Sequence, residues 1–483
     1  MGKKGTARQL PPGPSGVPIL GKHMAFLRNP LDFLMQAHLE FGPLVSLPVN
    51  GRTVVAAFGA EQVQAVVAGY GKEVDISMAG GVDLEFKGSI QGRGPLNASG
   101  AEHALFRRVT LRALRNSANS YAAVSMELTQ RLLAGWTPGT EVDLLRHIPE
   151  LSRRIFKYYM FGSDIGVTDP ELDAAVDEWS SALDSIPRRI GSALLPYNVP
   201  GLSRGRSVRR SMSIMDARVA AIGDGSVKTR HFSLIEAVLQ EMERADLNPN
   251  PALARELATQ LYFAGLTSVG GTIVWTLLLL ALHPKPTSDL LGELDREFGG
   301  RVPEPGDDAK QLPVFDAILD ESMRLYPGSA YEFKRVHEDL EVDGYRLRSG
   351  SPLLLAPWVT QRSPDNFEDP ERFRPERFAG RQRAYHKASF APWGFGNRSC
   401  VGKGVSRTAI RTVVAGITQR YRLDLVPHQR IDVHSGSFGI RVLPRPGVRV
   451  RLARQDGETA RSATPVTGSV VHGVPGQAGT ARD

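Results

Sequence analysis

The feature that most constrains this 483-residue chain is that it contains one cysteine, Cys400. A single cysteine excludes a disulfide scaffold and any zinc or iron–sulfur site that needs several thiolates from the same chain. Its surroundings are also specific, because residues 390–402 read FAPWGFGNRSCVG and a helical pattern follows directly. The loop therefore presents a sulfur atom between glycines at the beginning of a helix.

Both features favour a reactive sulfur over an inert one. Glycine lets the backbone turn tightly and approach a flat ligand closely, and the positive end of a helix dipole stabilises a thiolate. A thiolate without a second cysteine suits a metal that takes one protein ligand, and haem iron is such a metal. The alternative of a buried structural thiol leaves the Gly-x-Gly-x-Arg-x-Cys-x-Gly frame unexplained. A dinucleotide-binding loop is excluded, because Ser399 stands where its third glycine belongs and no strand precedes it.

The loop resembles the haem-binding loop of the cytochrome P450 family, with Trp393 at a position where the family usually has phenylalanine. Two further segments agree in the family's order. Glu321 and Arg324 resemble its Glu-x-x-Arg motif, and residues 375–378, PERF, resemble the element that follows. The resemblance implies the cytochrome P450 fold, which is mainly α with small β-sheets, and haem b as the cofactor, with the cysteine sulfur as iron ligand.

The resemblance covers residues 11–452, beginning at a proline-rich segment. It predicts one haem-thiolate domain over residues 11–454, preceded by a basic tail over residues 1–10. Residues 455–483 are rich in glycine, threonine, alanine and proline without any period, so they are predicted to be disordered.

Haem carries two propionates, so its pocket needs cations. The resemblance assigns this role to His103 and Arg107, which lie four residues apart on a predicted helix. It also assigns the role to Arg398 in the cysteine loop and to Arg335 in a predicted strand. A solvent-facing charge is the alternative for each of them taken alone. The loop residues that the resemblance assigns to haem binding are Trp393, Gly394 and Gly402. The residues that it assigns to a buried, structural charge cluster are Glu321, Arg324 and Arg377.

An uncharged segment from Leu261 to Leu282 is long enough to span a bilayer. Glycines and hydroxyl side chains near its middle instead favour a long buried helix. This helix is predicted to begin at Pro251 and to end at about His283, before two prolines. Earlier in the chain, Asn50-Gly51 between two apolar runs predicts a β-hairpin.

Within this helix, residues 263–269 align with the family's oxygen-binding segment. The family commonly has an acid followed by threonine, whereas this chain has Thr267 and Ser268. The Ser268 hydroxyl can relay a proton, but Thr267 cannot replace a carboxylate as a proton carrier. A hydrogen bond from Ser268 to the carbonyl of Ala264 is expected to bend the helix and, with Gly265, to make room for a diatomic ligand. The predicted catalytic residues are Ala264, Gly265, Thr267 and Ser268.

The resemblance implies a monooxygenase that activates O₂ and hydroxylates or otherwise oxidises an apolar small molecule. Electrons are expected from a ferredoxin and its reductase, because the length leaves no room for a flavin or NAD domain. No apolar run follows the basic N-terminus, which predicts a cytoplasmic protein without a membrane anchor, of the bacterial type and active in specialised metabolism. The net charge of +8 comes without a zinc-finger or RNA-binding signature, so no nucleic-acid partner is expected.

Two alternatives remain open. The first is haem-thiolate chemistry without ordinary O₂ activation, such as peroxide-driven oxidation, rearrangement, dehydration or nitrene-type transfer, and the second is a haem-based sensor or binder. The basic residues that are candidates for docking an acidic ferredoxin are Arg108, Arg112, Arg115, Lys403, Arg407 and Arg411. The residues expected by family analogy to line the substrate are Phe86, Ile90, Phe263, Leu266 and Phe438.

Overall fold

Helices form most of the fold in this computed structural model, as the sequence predicts. The structure describes residues 10–14, 21–49, 52–69, 74–76, 98, 100–162, 170, 203–226, 232–247, 251–266, 268–301, 307, 311–380, 385–436, 441–459 and 466–470. The helices are α1 (Gly21–Arg28), α2 (Pro30–Phe41), α3 (Ala60–Ala68), α4 (Gly100–Asn116), α5 (Ala118–Gly135), α6 (Leu144–Phe161), α7 (Ser203–Gly223), α8 (Leu234–Arg244), α9 (Pro251–Leu266), α10 (Ser268–Leu282), α11 (Pro284–Phe298), α12 (Pro313–Leu325), α13 (Pro357–Thr360) and α14 (Lys403–Arg420). The strands are β1 (Leu44–Val49), β2 (Arg52–Ala57), β3 (Val74–Ile76), β4 (Glu141–Asp143), β5 (Glu332–Val336), β6 (Leu340–Val342), β7 (Tyr345–Leu347), β8 (Pro352–Leu355), β9 (Tyr421–Leu425), β10 (Val433–Gly436), β11 (Arg441–Pro444) and β12 (Arg449–Arg454).

The long apolar segment forms α9 and α10, with Thr267 between them outside the described residues. The side chains of α10 are buried from Val269 to Leu282, which is typical of a helix that is apolar all round and lies in a protein core. It ends before Pro284, the first residue of α11. In the described part of the chain, no helix combines the length and apolar character needed to cross a bilayer.

Small residues let other elements approach α10 closely. A Cβ on Gly270 would lie 3.1 Å from the Cα of Pro149 in α6, and one on Gly271 would lie 2.9 Å from Leu443 Cδ2 in β11. Trp275 stacks on Tyr326 with ring centroids 3.6 Å apart. The same indole donates a hydrogen bond to the carbonyl of Val442 at 2.9 Å. These contacts hold β11 and the end of α12 against the central helix.

Among the described residues, the largest sheet has the strand order β1-β2-β8-β5-β3. β1 and β2 pair antiparallel as predicted, with Val49 opposite Arg52, while the Asn50-Gly51 turn itself lies outside the described residues. β5 and β8 pair antiparallel, so the segment after α12 is held in an extended conformation. A separate hairpin of β10 and β11 approaches α10 from another side.

Residues 466–470, which we call the C-terminal strap, are described within the range 455–483 that the sequence predicts to be disordered. The Ile431 amide donates to the Thr467 carbonyl at 2.8 Å, and the Val470 amide donates to the Ile431 carbonyl at 3.3 Å. Val466 and Val470 are both buried. The composition of the tail did not reveal this pair of valines, whose burial attaches the strap to the base of the β10–β11 hairpin.

Candidate active site

The loop that carries Cys400 closes on itself before α14 begins. The Cys400 amide donates to the carbonyl of Trp393 at 2.6 Å. Gly394 and Gly396 have φ values of +72° and +54°, in the left-handed region that favours glycine. The glycines of the sequence motif therefore produce the turn that presents the sulfur just ahead of Lys403, the first residue of α14.

Cys400 is exposed to solvent, yet burial raises the pKa of its thiol. The two observations agree if the sulfur lies in an open recess, where protein surrounds it but solvent still reaches it. A hydrogen bond from the Gly402 amide acts in the opposite direction and favours the thiolate, as do the positive charges of Arg441 and Arg107. Burial outweighs these contributions, so the sulfur needs a further positive partner, such as a metal ion, to be held as a thiolate.

Two of the predicted propionate-binding arginines come together beside this recess. Arg107 donates to the carbonyl of Ser399 at 2.6 Å and to its hydroxyl at 2.9 Å, and Arg398 donates to the carbonyl of Ala98 at 2.7 Å. Burial lowers the pKa of Arg107, and the nearby charge of Arg398 lowers it further. Two guanidinium groups held this close favour an anion between or beside them.

A groove of about 490 Å³ runs between α4 and the cysteine loop. His103, which is buried, Arg107 and Arg398 line it. Its outer part is lined by the exposed Arg108, Arg112 and Arg115. The groove therefore joins the residues predicted to hold haem to a positive surface on α4.

Arg335 lies elsewhere, on β5, in register with Asp75 of β3 and Pro352 of β8. Side chains alternate along a strand, so Arg335 and Lys334 are on opposite faces of the sheet. Lys334 is buried and donates to Glu332 at 2.7 Å. Glu332, on the same face of the strand as Lys334, is electrostatically coupled to Cys400.

Glu321, Arg324 and Arg377 form a compact charge cluster. Arg324 makes a two-pronged pair with Glu321, at 2.7 and 2.9 Å, and both side chains are 0% exposed. Arg377 Nε adds a third contact to Glu321 at 3.3 Å. Backbone carbonyls of Gln361 and Pro370 accept the remaining hydrogen bonds of Arg324 Nη1. The cluster thereby anchors the loop after α13 to α12.

The predicted oxygen-binding segment lies where α9 ends and α10 begins. The Ser268 hydroxyl donates to the Ala264 carbonyl at 3.1 Å, the local hydrogen bond that the sequence predicts. Thr272 in turn donates to the Ser268 carbonyl at 3.0 Å. Gly265 also lies close to α6, because a Cβ there would lie 2.4 Å from the ring of Phe156. The glycine makes room for α6, and Thr267 lies outside the described residues.

Sequence reasoning missed Glu332, Lys334 and Arg441. Arg441 Nη1 donates to the carbonyl of Gly328 at 2.7 Å, and both Cys400 and Glu332 act on its pKa. The alternation in the strand sequence EFKRV was a usable signal for the shared face of Glu332 and Lys334. No local pattern signalled Arg441, because its position depends on how the hairpin folds onto α10. The proposed substrate-lining residues Phe86, Ile90 and Phe438, and the side chains of Phe263 and Leu266, lie outside the described part.

These residues fit a haem group. A reachable sulfur stands alone in a glycine-rich recess, and the paired guanidinium groups of Arg107 and Arg398 suit a propionate. The indole N–H of Trp393 is buried and has no hydrogen-bond partner among the described residues, which points to a site that is complete only with a further group.

Residues 11–450 match the sequence profile of the cytochrome P450 family. The chain belongs to the cytochrome P450 family. Members of this family use haem b bound through a cysteine thiolate.

Relatives of this P450 include two proteins of Streptomyces species, one named as a synthase and one as an oxygenase. It is 26% identical to cyclooctatin synthase of Streptomyces melanosporofaciens over 459 residues, which cover 90% of this chain and 95% of the relative. It is 24% identical to pentalenene oxygenase of Streptomyces avermitilis over 457 residues, or 92% and 98% of the two chains. A solved structure of a cyanobacterial P450 with retinoic acid bound superposes with a TM-score of 0.77 at 20% identity, covering 92% of this chain and 100% of that one. The fold predicted from the sequence is confirmed.

Proposed function

We propose that this P450 is a monooxygenase that oxidises a small, mainly apolar molecule in bacterial specialised metabolism. The observation that carries the proposal is the Cys400 recess, in which the Gly402 amide and nearby cations support a sulfur that solvent can reach. The terpene-oxygenating relatives support the substrate class. Haem b held by Cys400 would supply reductive O₂ activation and transfer of one oxygen atom.

The chain's own residues orient the cofactor and deliver protons. Arg107 and Arg398 would bind propionate, because their guanidinium groups already converge beside the cysteine loop. The Ser268 hydroxyl would pass a proton towards the oxygen-binding space, since its own donor hydrogen bond goes to the adjacent Ala264 carbonyl and can be exchanged. With Thr267 in place of the usual acid, the carboxylate step of proton delivery has to be replaced by water.

A ferredoxin, itself reduced by a ferredoxin reductase, would dock on the positive face of α4. Arg108, Arg112 and Arg115 are exposed along one wall of the groove beside the cysteine loop. Arg407 and Arg411 of α14 contribute less, because both contact Asp316, at 2.6 and 3.5 Å, and their charge is largely neutralised. Complementary charge would steer an acidic partner to α4 and accelerate association at low salt.

The test of this function is spectroscopic first and catalytic second. The reduced carbon-monoxide complex should show the thiolate-specific Soret band, and Cys400→Ser should lose it while the protein remains folded. The same preparation, supplied with ferredoxin, reductase and a panel of bacterial terpenes, should give products that carry one atom from ¹⁸O₂. A wild-type protein that lacks the thiolate band, or products without labelled oxygen, would refute the proposal.

The residue identity at Thr267 favours a second candidate, peroxide-driven oxidation. A peroxide shunt needs no delivery of protons during O₂ reduction, so it tolerates the absence of the acid. Turnover with hydrogen peroxide that exceeds turnover with the complete reductase system would select this candidate. A Thr267→Asp variant should then gain more activity with reductase than with peroxide.

A further inference from the structure

We propose that Arg441, on the β10–β11 hairpin near Cys400, binds a carboxylate of the substrate. The inference deepens the proposed function and rests on it, because it names the class of molecule that the pocket accepts. That class is a mainly apolar molecule with one anionic end.

Arg441 lies where the β10–β11 hairpin packs against the central helix α10. It is the first residue of β11, and the next two residues of the strand pack directly on α10. Val442 accepts the hydrogen bond of Trp275, and Leu443 fills the space left by Gly271. The root of the Arg441 side chain is therefore fixed beside the helix that begins at Ser268.

The guanidinium group is held in a way that leaves part of it available. Among the described residues, Arg441 donates one hydrogen bond, from Nη1 to the Gly328 carbonyl at 2.7 Å. This bond steers the group into the segment between α12 and β5. The guanidinium fork can pair with a carboxylate through two parallel hydrogen bonds, and the single protein bond leaves the Nε–Nη2 edge for this purpose.

The charges around Arg441 leave a net positive corner. Burial lowers the pKa of Arg441, and the charges of Cys400 and then Glu332 act against that effect. Glu332 already accepts a hydrogen bond from Lys334 at 2.7 Å, and the charge of Lys334 is the main reason that its pKa is lowered. Glu332 thus faces two cations, Lys334 and Arg441, while Cys400 is committed to iron in the proposed function. An enclosed cation without a full counter-charge is costly, so an anionic ligand is favoured there.

A haem propionate is the other carboxylate that this arginine could meet. The described residues already place Arg107 and Arg398 together for a propionate, on α4 and the cysteine loop. Arg441 instead belongs to the β10–β11 hairpin against α10. Arg107 and Arg398 account for one of the two propionates, and the haem content of an Arg441 variant distinguishes a substrate carboxylate from the second propionate.

The experiment uses haem-loaded protein and probes whose imidazole nitrogen binds the haem iron directly. Imidazolyl-hexanoic acid and imidazolyl-dodecanoic acid are each compared with their methyl esters, and the Soret shift gives the Kd. The wild type should bind at least one acid about tenfold more tightly than its ester, since a hydrogen-bonded charge pair is worth about 1.5 kcal/mol or more. Arg441→Gln should abolish this preference and leave the ester Kd within about twofold. Arg441→Lys should keep part of it.

The matched control is Arg445→Gln, which removes an exposed arginine just after the same strand and should leave the acid preference intact. A wild type that binds both acids no better than their esters would overturn the inference, and so would an Arg441→Gln variant that keeps the preference. Haem content identifies the competing occupant. If Arg441→Gln loses haem as readily as Arg107→Gln does, Arg441 holds a propionate and the inference fails.

The same titration distinguishes a failure of this inference from a failure of the proposed monooxygenase function on which it rests. Probes that shift the Soret band of a protein with the thiolate band, but show no acid preference, refute the role of Arg441 and leave the monooxygenase proposal standing. A wild-type protein without the thiolate band refutes both.

Discussion

Two regions of the molecule handle buried charge differently. On the side of the Glu321 cluster, a carboxylate meets two arginines, and backbone carbonyls accept the remaining hydrogen bonds of Arg324. On the side of the β10–β11 hairpin, Lys334 and Arg441 share Glu332, and Arg441 makes one hydrogen bond to the described chain. Both groups have one carboxylate for two cations, but in the first the backbone also supplies acceptors for both arginines, so it needs no ligand and stabilises the fold. The second is incomplete and is able to recognise a ligand.

The largest effect should come from breaking the complete cluster. Glu321→Gln removes the negative charge from between Arg324 and Arg377, which leaves buried positive charge uncompensated and should cost about 3–5 kcal/mol of unfolding free energy. Urea denaturation and the yield of haem-loaded protein measure it. Glu341→Gln, on the exposed face of β6, is the control and should change little. Equal stability of the two variants would show that the cluster is not structural.

A second test concerns the packing of α9 against α6. Gly265→Ala would place a Cβ 2.4 Å from the Phe156 ring, and the rearrangement should cost about 1–3 kcal/mol. Gly292→Ala in α11 meets only the flexible end of Arg296, at 3.6 Å, and should stabilise the protein by about 0.5–1 kcal/mol. Thermal unfolding midpoints should therefore move in opposite directions. A shift of the same sign in both variants would contradict the packing described for α6 and α9.

If Ser268 delivers protons, its replacement should change the coupling of electron consumption to product formation and should leave the stability of the protein unchanged. Ser268→Ala removes the hydroxyl that we assign to proton delivery, so product formed per electron consumed should fall by about tenfold or more, with a matching rise in peroxide release. Ser268→Thr keeps a hydroxyl and should retain most of the coupling. The carbon-monoxide band should be unchanged in both. Efficient coupling in the alanine variant would remove Ser268 from the mechanism.

The smallest expected effect comes from changing the charge of the group formed by Glu332, Lys334 and Arg441. Glu332→Gln removes the one carboxylate that Lys334 and Arg441 share, so the pocket becomes more positive and should bind the imidazolyl acids about threefold more tightly than wild type does. The esters should bind as before. Weaker binding of the acids would show that Glu332 orients Arg441 and that its charge is not in competition with the ligand.

The sequence was informative where chemistry depends on neighbours in the chain. The cysteine loop, the Glu321–Arg324 pair and the hydrogen bond from Ser268 to Ala264 all depend on spacings of a few residues, so a motif or a helical period reveals them. The β1–β2 hairpin at Asn50-Gly51 and the helices of the apolar segment could be predicted for the same reason. Site assignments that rest on the resemblance remain predictions until the spectroscopic tests are made.

The sequence did not predict the positions of Arg441, Glu332 and the C-terminal strap, because each depends on contacts between distant segments. Arg441 reaches Gly328 more than a hundred positions earlier, and no pattern within a strand of four residues encodes that approach. The contact between Gly265 and Phe156 was not predicted for a related reason, since a glycine facing a ligand and a glycine facing an aromatic ring look alike in sequence. The prediction for the tail rested on composition, which gives no sign that Val466 and Val470 are buried.

The position of Trp275 makes it an internal optical probe of the pocket wall. Its ring lies flat on Tyr326 at the end of α12, its N–H is bonded to β11, and its backbone belongs to α10. Any displacement of the hairpin would alter both the stacking and the hydrogen bond of one indole, which changes its near-ultraviolet circular dichroism and fluorescence emission. Ligand-driven motion of the hairpin is therefore observable through this indole at wavelengths far from the Soret band.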